Sequence, residues 1–382
     1  MHIVHVTPHL PPDQAANALL PWQLGLWAAE AGDTVEYVAH PPRAGQPATL
    51  PGPATWIPRR TDSGVARTLR LGAILAANHI RQALQPAIER ADVVHVHSNG
   101  LLAELGVLLA RRRDASVVLT LYGTEIWHYA PKRFGPDLFT RAYHEASAVT
   151  FYSERLLGRA RELGLTRRRM QTVYPPVGPQ FAWHNEGAQA TARESLSIAN
   201  RHLLVNVKRL HPLAGQRFLL EAMNEVIRTH PDTRLVICGT GPLLDELQAI
   251  ARSAGVERHV TFAGLVDNAV VARYCAAADL FVLPSILEAL PTVAVEALAC
   301  GTPVISADNP GGFELNDVFD RDVSLVAREQ PLPLAQAIIA FLTNKRRTSA
   351  ETRDSIERLF RPVGVANQYR ALYDDVIARA EP

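Results

Sequence analysis

Short runs of successive apolar residues alternate with longer helix-compatible stretches along nearly the whole chain, and that alternation restricts it to parallel sheets covered by helices. A strand that is apolar on consecutive residues buries both faces, and parallel neighbours need a crossover long enough to hold a helix. The runs fall at 3–6, 35–38, 93–96, 117–121 and 149–151, then at 203–207, 235–238, 260–263, 280–283 and 304–306. Helices of the second set are expected at 216–229, 242–254 and 270–277. The fold class is therefore α/β, with two Rossmann-like halves.

A chain of 382 residues exceeds the usual size of one domain, and 47% hydrophobic against 20% charged residues suffices for two cores. The passage Thr172-Val173-Tyr174-Pro175-Pro176-Val177-Gly178-Pro179 cannot continue a helix and is the natural linker. We expect a first domain over 1–173, a linker over 174–185, a second domain over 186–358 and a closing helical segment over 359–382. A formal net charge of +1 gives no case for a nucleic-acid partner. Arginine-rich spots at Arg59-Arg60, at Arg111 to Arg113 and at Arg167 to Arg169 read as solvated faces, with peripheral membrane contact as the alternative. Cys238, Cys275 and Cys300 lie far apart without CxxC spacing, which argues against a disulfide framework or zinc site and suits a reducing cytoplasm. The start of the sequence lacks a basic region followed by an apolar run, and no stretch reaches about 18 uninterrupted apolar residues. The expectation is a cytoplasmic protein that does not span the membrane.

One block carries most of the chemistry. A strand ends in Pro284-Ser285 and is followed by Glu288 and Glu296, eight positions apart, with a helix starting near Pro291 between them. A turn at Cys300-Gly301 leads through Gly301-Thr302-Pro303-Val304 into the next strand, and a flexible loop at Gly311-Gly312 is expected before Glu314. In open α/β sheets ligands collect at the carboxyl ends of strands. The backbone around Leu290, Pro291 and Thr292 opens a helix whose first N–H groups suit an anion. Carboxylates flanking such an anion site suit a polyhydroxylated, phosphate-bearing ligand.

The block resembles the signature of the retaining glycosyltransferases of the GT-B fold, family 4: Pro-Ser, a Glu-x7-Glu pair, Gly-x-Pro-Val and a late Gly-Gly-x-x-Glu. The resemblance implies two Rossmann-like domains facing each other across a cleft, the first binding the acceptor and the second a nucleotide sugar. It implies that the closing helix crosses back onto the first domain. Glu288 is then assigned to the hydroxyls of the transferred sugar, Glu296 to the ribose, and Glu314 to the sugar or acceptor. Carboxylates accept hydrogen bonds from neighbouring hydroxyls without a metal. The family's Gly-Arg-Leu and Lys-Gly stand here as Lys208-Arg209-Leu210 and Ala214-Gly215. Arg209 matches the diphosphate-binding arginine, the lysine is replaced by Ala214, and Lys208, His211 and Arg217 are candidate substitutes. Gly239 and Gly241 let the backbone approach the donor, and the Gly264-Leu265-Val266 turn is expected near the base.

In the first half, His95 and His97 alternate with valines and so share one strand face, His97 at the ligand-facing end. Tyr122 stands where the family places a histidine that touches the sugar. Ala15-Ala16 replaces a Gly-Gly near the diphosphate, a change that bears on any need for positive φ, and Asn17 offers an amide to donor or acceptor. No Asp-x-Asp of the kind that holds a magnesium-bound diphosphate is present, so neither metal nor cofactor is expected. The resulting expectation is a metal-independent retaining glycosyltransferase that moves a sugar from a nucleotide-diphosphate sugar to a hydroxyl of a carbohydrate, lipid-linked or small-molecule acceptor. Two other readings stay open: a catalytically weak nucleotide-sugar-binding partner subunit, and a nucleotide-sugar epimerase on the same fold. Oligomeric state is not legible.

Overall fold

The computed structural model describes residues 1–13, 15–43, 45–59, 71–131 and 136–379, the side chains of 71–75 excepted. Arg60 lies outside the described residues. The chain forms two compact units, Met1–Pro175 with Val365–Pro382, and Pro176–Gly364.

The first unit holds a parallel sheet of β1 (His2–Thr7), β2 (Thr34–Ala39), β3 (Ala54–Trp56), β4 (Val93–His97), β5 (Ser116–Leu121), β6 (Ala148–Phe151) and β7 (Met170–Thr172), in the order β3-β2-β1-β4-β5-β6-β7. Alternation along each strand sends side chains to opposite faces. Val4, Val6, Val94, Val96, Val117 and Leu119 pack beneath helices that include Leu101–Arg111 and Glu154–Glu162. On the other face, Ile3, Val93 and Val118 meet Leu20 and Leu24 of the helix Ala16–Glu30. They also meet Tyr369, Leu372 and Tyr373 of the closing helix Pro362–Ala378.

The second unit repeats the plan with β8 (His202–Val207), β9 (Thr233–Cys238), β10 (Val260–Gly264), β11 (Leu280–Leu283), β12 (Val304–Ala307) and β13 (Val323–Val326), all parallel, in the order β10-β9-β8-β11-β12-β13. The helices Gln216–Thr229, Leu244–Ser253 and Pro331–Thr343 share a core with Leu204, Leu235, Ile237 and Val282. Val177 and Phe181 are buried, and Val177 N–H donates to the Phe360 carbonyl at 2.7 Å, so the stretch after Pro176 is packed into this unit.

Both sheets reverse their winding once, between β1 and β4 and between β8 and β11, and such reversals open crevices at the carboxyl ends of the flanking strands. One sequence expectation is corrected here. The flexible loop expected at Gly311-Gly312 is instead the first turn of a helix, Pro310–Phe319, capped by Asn309, whose side chain accepts from Gly312 N–H. Among the described residues no helix is long and apolar enough to cross a membrane.

Candidate functional site

At the β8/β11 crevice the loops are locked backbone to backbone. Ile286 N–H donates to the Leu213 carbonyl at 2.9 Å. Gly215 has φ +66°, and a Cβ there would stand 2.1 Å from the Pro284 carbonyl oxygen. The same spacing separates a Cβ on Gly239, at φ +139°, from the Lys208 carbonyl oxygen. Both glycines are thus required by close approach as well as by conformation. The loops after β8, β9 and β11 form one rigid floor.

On that floor Lys208 Nζ lies 2.5 Å from Glu288 Oε1. Arg209 is exposed and has no ion-pair partner among the described residues. Ala214, at the family's lysine position, is only 4% exposed. Lys208 and Arg209 are therefore the cations that the β8 strand end presents. His211 instead caps the short turn Pro212–Ala214, and Arg217 pairs with Glu221 at 3.4 Å.

Glu288 is held from behind. Gly311 N–H donates to the Glu288 carbonyl at 2.9 Å, and a Cβ on Gly311 would lie 2.7 Å from Glu288 Cβ. Asn309 Nδ2 donates to the Ser285 carbonyl at 2.6 Å, tying the same loop to the next helix start. The Gly-Gly pair is therefore a packing device, with no hinge role needed to explain it. Glu314, expected to reach the sugar or acceptor, is 1% exposed within this helix.

Glu296 stands in the second turn of the helix Thr292–Ala299, whose N-cap, Pro291, supplies no side-chain cap and leaves the first backbone N–H groups without intrahelical acceptors. Leu290, Pro291 and Thr292 thus line an uncapped helix start. Glu296 is half-buried with no hydrogen-bond or ion-pair partner among the described residues, and burial alone raises its pKa to about 7. The far end of the helix is pinned by Arg347, which donates to the carbonyls of Cys300 at 2.6 Å and Ala278 at 2.9 Å. Gly301, at φ +92°, leaves room for that guanidinium.

An Asp-x-Asp triplet does occur at Asp320-Arg321-Asp322. Asp322 is buried, accepts from Ser349 N–H and Oγ at 2.7 Å each and pairs with Arg346 at 2.5 Å, so it is committed to structure.

In the first unit, Ala16 opens its helix behind an N-cap, Ala15, at φ −107° without a side-chain cap. The replacement of glycine by alanine is accommodated, since no positive φ is required there. Thr7 Oγ1 donates to the Asn17 carbonyl at 2.5 Å, fixing that helix start on the end of β1.

Beside it, His5 of β1 and His95 and His97 of β4 are buried together on one sheet face, with His5 in register with His95. Their nitrogens come within 4.8 Å of one another, a spacing that invites comparison with a metal site. The rings of His95 and His97 lie 3.9 Å apart by centroid, and each of their nitrogens already has a protein partner. His95 Nδ1 meets Tyr373 Oη and its Nε2 meets Thr120 Oγ1, each at 2.6 Å. His97 Nδ1 meets Tyr122 Oη at 2.7 Å, and its Nε2 meets His5 Nδ1 at 3.1 Å. These contacts make a hydrogen-bonded network of neutral rings, since burial holds all three histidines below the ordinary imidazole pKa.

The structure thus brings Lys208, Arg209, Glu288, Glu296 and the Leu290–Thr292 turn to the strand ends of the second sheet. It brings Ala16, Asn17, His97 and Tyr122 to those of the first. Sequence reasoning missed His5 and Asn309. His5 becomes visible only through its register with His95, whereas an Asn-Pro-Gly-Gly run is a helix-cap signal that was open to reading.

Residues 22–181 match the model of the family described as Glycosyltransferase Family 4, and residues 188–358 match that of Glycosyl transferases group 1. The chain belongs to the family 4, group 1 glycosyltransferases. The chain is 31% identical over 221 residues to the GDP-mannose-dependent alpha-(1-6)-phosphatidylinositol monomannoside mannosyltransferase of Mycolicibacterium smegmatis, covering 56% of this chain and 57% of that protein. It therefore spans little more than half the length of that relative. It is 25% identical over 294 residues to the N-acetyl-alpha-D-glucosaminyl L-malate synthase of Bacillus anthracis, with 76% of each chain covered. Its fold matches the sucrose-phosphate synthase of Thermosynechococcus elongatus with a TM-score of 0.78 at 20% identity, over 99% of this chain and 100% of that one. Anabaena HepE in complex with UDP gives 0.76 at 20% identity, over 98% and 100%. These neighbours identify the fold as GT-B.

Proposed function

We propose that the transferase moves a glycosyl group from a nucleotide-diphosphate sugar to a hydroxyl acceptor with retention at the anomeric carbon and without a metal. The observation that carries this reading is Glu296, a half-buried carboxylate without a partner among the described residues, one turn inside an uncapped helix start. Such a group is destabilised until hydroxyl donors reach it, and the paired hydroxyls of a ribose supply two. The N–H groups at that helix start accept negative charge from the diphosphate, joined by Lys208 and Arg209. Glu288, held by Lys208 and by the Gly311 backbone, takes the hydroxyls of the transferred sugar.

The leaving group is then neutralised by two side-chain cations and helix-terminal N–H groups, which is the work a divalent metal performs elsewhere. Retention is supported by the relatives' printed names, which give alpha products. Common hexose nucleotides are alpha-linked donors, so an alpha product preserves configuration. The first unit is assigned the acceptor. It carries a cavity of about 340 Å³ walled by Ile57, Pro58, Ile80, Leu101 and Leu102 with His40 at its side, suited to an acceptor with an apolar portion. The GDP-mannose named for the mycobacterial relative makes a guanosine donor the first to try.

A thermal-shift screen of uridine, guanosine, thymidine and adenosine diphosphate sugars tests the class and identifies the base together. One nucleotide should raise the melting temperature, and Glu296→Ala should abolish that rise. No shift with any base, or an undiminished shift in the variant, refutes the assignment.

A further inference from the structure

The His5–His97–Tyr122 contacts admit a definite proton arrangement. His5 and His97 are fully buried. Burial lowers the His5 pKa to about 3 and holds that of His97 well below its usual value, so each ring is neutral near pH 7 and carries one proton. His5 Nδ1 faces His97 Nε2, His97 Nδ1 faces Tyr122 Oη, and His5 Nε2 is buried without a partner among the described residues. Two arrangements satisfy both contacts. If His5 carries its proton on Nε2, a buried N–H is stranded, His97 Nε2–H donates to His5, and the Tyr122 hydroxyl must donate inward to His97 Nδ1. If His5 carries it on Nδ1, that N–H donates to His97 Nε2, His97 Nδ1–H donates to Tyr122 Oη, and only a lone pair at His5 Nε2 goes unmet. A stranded buried N–H is the rarer and costlier defect, which selects the second arrangement. Tyr122 remains a neutral phenol, since burial raises its pKa well above the ordinary value. With its oxygen already accepting from His97, its proton is left to donate to an acceptor other than His97.

We propose that His5 and His97 form a one-way hydrogen-bond relay that presents Tyr122, the residue following β5, as a hydrogen-bond donor to an oxygen of the bound sugar or acceptor at the strand ends of the first unit. His5 and His97 are positioning residues, and Tyr122 is the group that touches substrate. The proposal rests on the proposed function for what the hydroxyl meets, whereas the relay itself does not depend on it. The relay explains why two histidines that never reach solvent occupy the strands flanking the crevice. It also separates their task from that of His95, which joins the sheet to Tyr373 of the closing helix.

The test begins without ligand. Long-range proton–nitrogen NMR on ¹⁵N-histidine-labelled protein should show His5 and His97 as neutral Nδ1–H tautomers from pH 6 to pH 8. His5→Leu leaves only a lone pair unmet at His97 Nε2, so by the same cost argument the His97 proton should stay on Nδ1. His5→Asn places an amide N–H near the lost Nδ1 and should hold the same tautomer. In steady-state assays Tyr122→Phe and His97→Leu, which removes the donor to Tyr122, should each lower kcat by about tenfold, the size of one hydrogen bond, with the donor KM unchanged. The double variant should lose no more than either single one. An Nε2–H tautomer on His97 in the unmodified protein overturns the relay, as does full activity in a folded His97→Leu variant when Tyr122→Phe is impaired. Correct tautomers with an unimpaired Tyr122→Phe overturn the substrate contact alone. Failure of the underlying functional reading is separately visible, as absence of nucleotide-sugar binding by the unmodified protein.

Discussion

Glu296 offers the sharpest test because its pKa and its assigned partner pull in opposite directions. Burial raises this carboxyl from 4.5 to about 7 with no compensating charge. A shift of that size corresponds to about 3 kcal/mol of differential stabilisation between the neutral and ionised forms. In the ligand-free protein the folded pKa exceeds the unfolded one. The associated stability is therefore fully present below pH 4.5 and is lost as pH rises through 7. A ribose acting as hydrogen-bond donor reverses the preference, because the ionised carboxylate is the stronger acceptor. Binding then releases a proton wherever the free group is still protonated.

With one group titrating near 7, the apparent donor Kd scales as 1 + 10^(7 − pH), so affinity should tighten by about tenfold between pH 6 and pH 8. Titration calorimetry with an intact nucleotide sugar is the suitable assay. Both of its phosphates are esterified and do not ionise in this window, unlike the terminal phosphate of a free nucleoside diphosphate. Repeating the titration at pH 6.5 in two buffers of different ionisation enthalpy should reveal the proton released. Glu296→Gln keeps the shape, cannot ionise, and should give a flat profile with weaker affinity at pH 8. A flat profile in the unmodified protein, or an unchanged slope in Glu296→Gln, refutes the reasoning from burial to ribose recognition.

Arg209→Ala should leave the melting temperature within about a degree, since the side chain is exposed and has no ion-pair partner among the described residues, while slowing turnover by about a hundredfold if it meets the leaving diphosphate; stopped assays beside a thermal melt separate the two. Gly311→Ala forces a Cβ to within 2.7 Å of Glu288 Cβ and 2.9 Å of Pro291 Cδ. It should cost about 1–3 kcal/mol in denaturant titration and reduce kcat, because the loop bearing Glu288 has to shift. Tyr373→Phe deletes the hydroxyl 2.6 Å from His95 Nδ1. It should destabilise the first unit by about 1–3 kcal/mol while donor affinity is unchanged, measured by hydrogen exchange resolved by unit because a single global transition is not assured.

The strand cores were legible because each is largely apolar, with no more than one polar residue, and the structure extends most of them by a residue or two. β3, β7 and β13 escaped notice: Ala54–Trp56 and Met170–Thr172 are too short to show a period, whereas Val323–Val326 has the same pattern as the run 260–263 and was open to reading. All three lie at sheet edges, where one-sided pairing tolerates polar residues. The glutamate pair and the glycines were legible as ligand features. What Gly311 does was not, because its reason is a neighbour across space, Glu288, with which it is linked through a backbone hydrogen bond. His5 was hidden for the same reason, since its contact with His97 spans 92 positions.

That distinction bears on the three departures from the family pattern, each of which looks like a loss when residues are matched position by position. Ala15 replaces a glycine where φ is −107°, a conformation that never needed one. Ala214 replaces a lysine, yet Lys208, arriving from the other end of the same loop, sets its ammonium 2.5 Å from Glu288 at the strand ends to which the proposed function assigns the diphosphate. Tyr122 replaces a histidine, and a histidine, His97, stands directly behind its hydroxyl. In each case a neighbouring segment places a group of like chemistry nearby, or the backbone conformation needs no glycine. The altered motif therefore gives little support to the reading as an inert binding subunit, whose motivation was the missing lysine and histidine. A loss at one position counts against catalysis only when no neighbouring side chain can deliver the same hydrogen bond or charge to the same place.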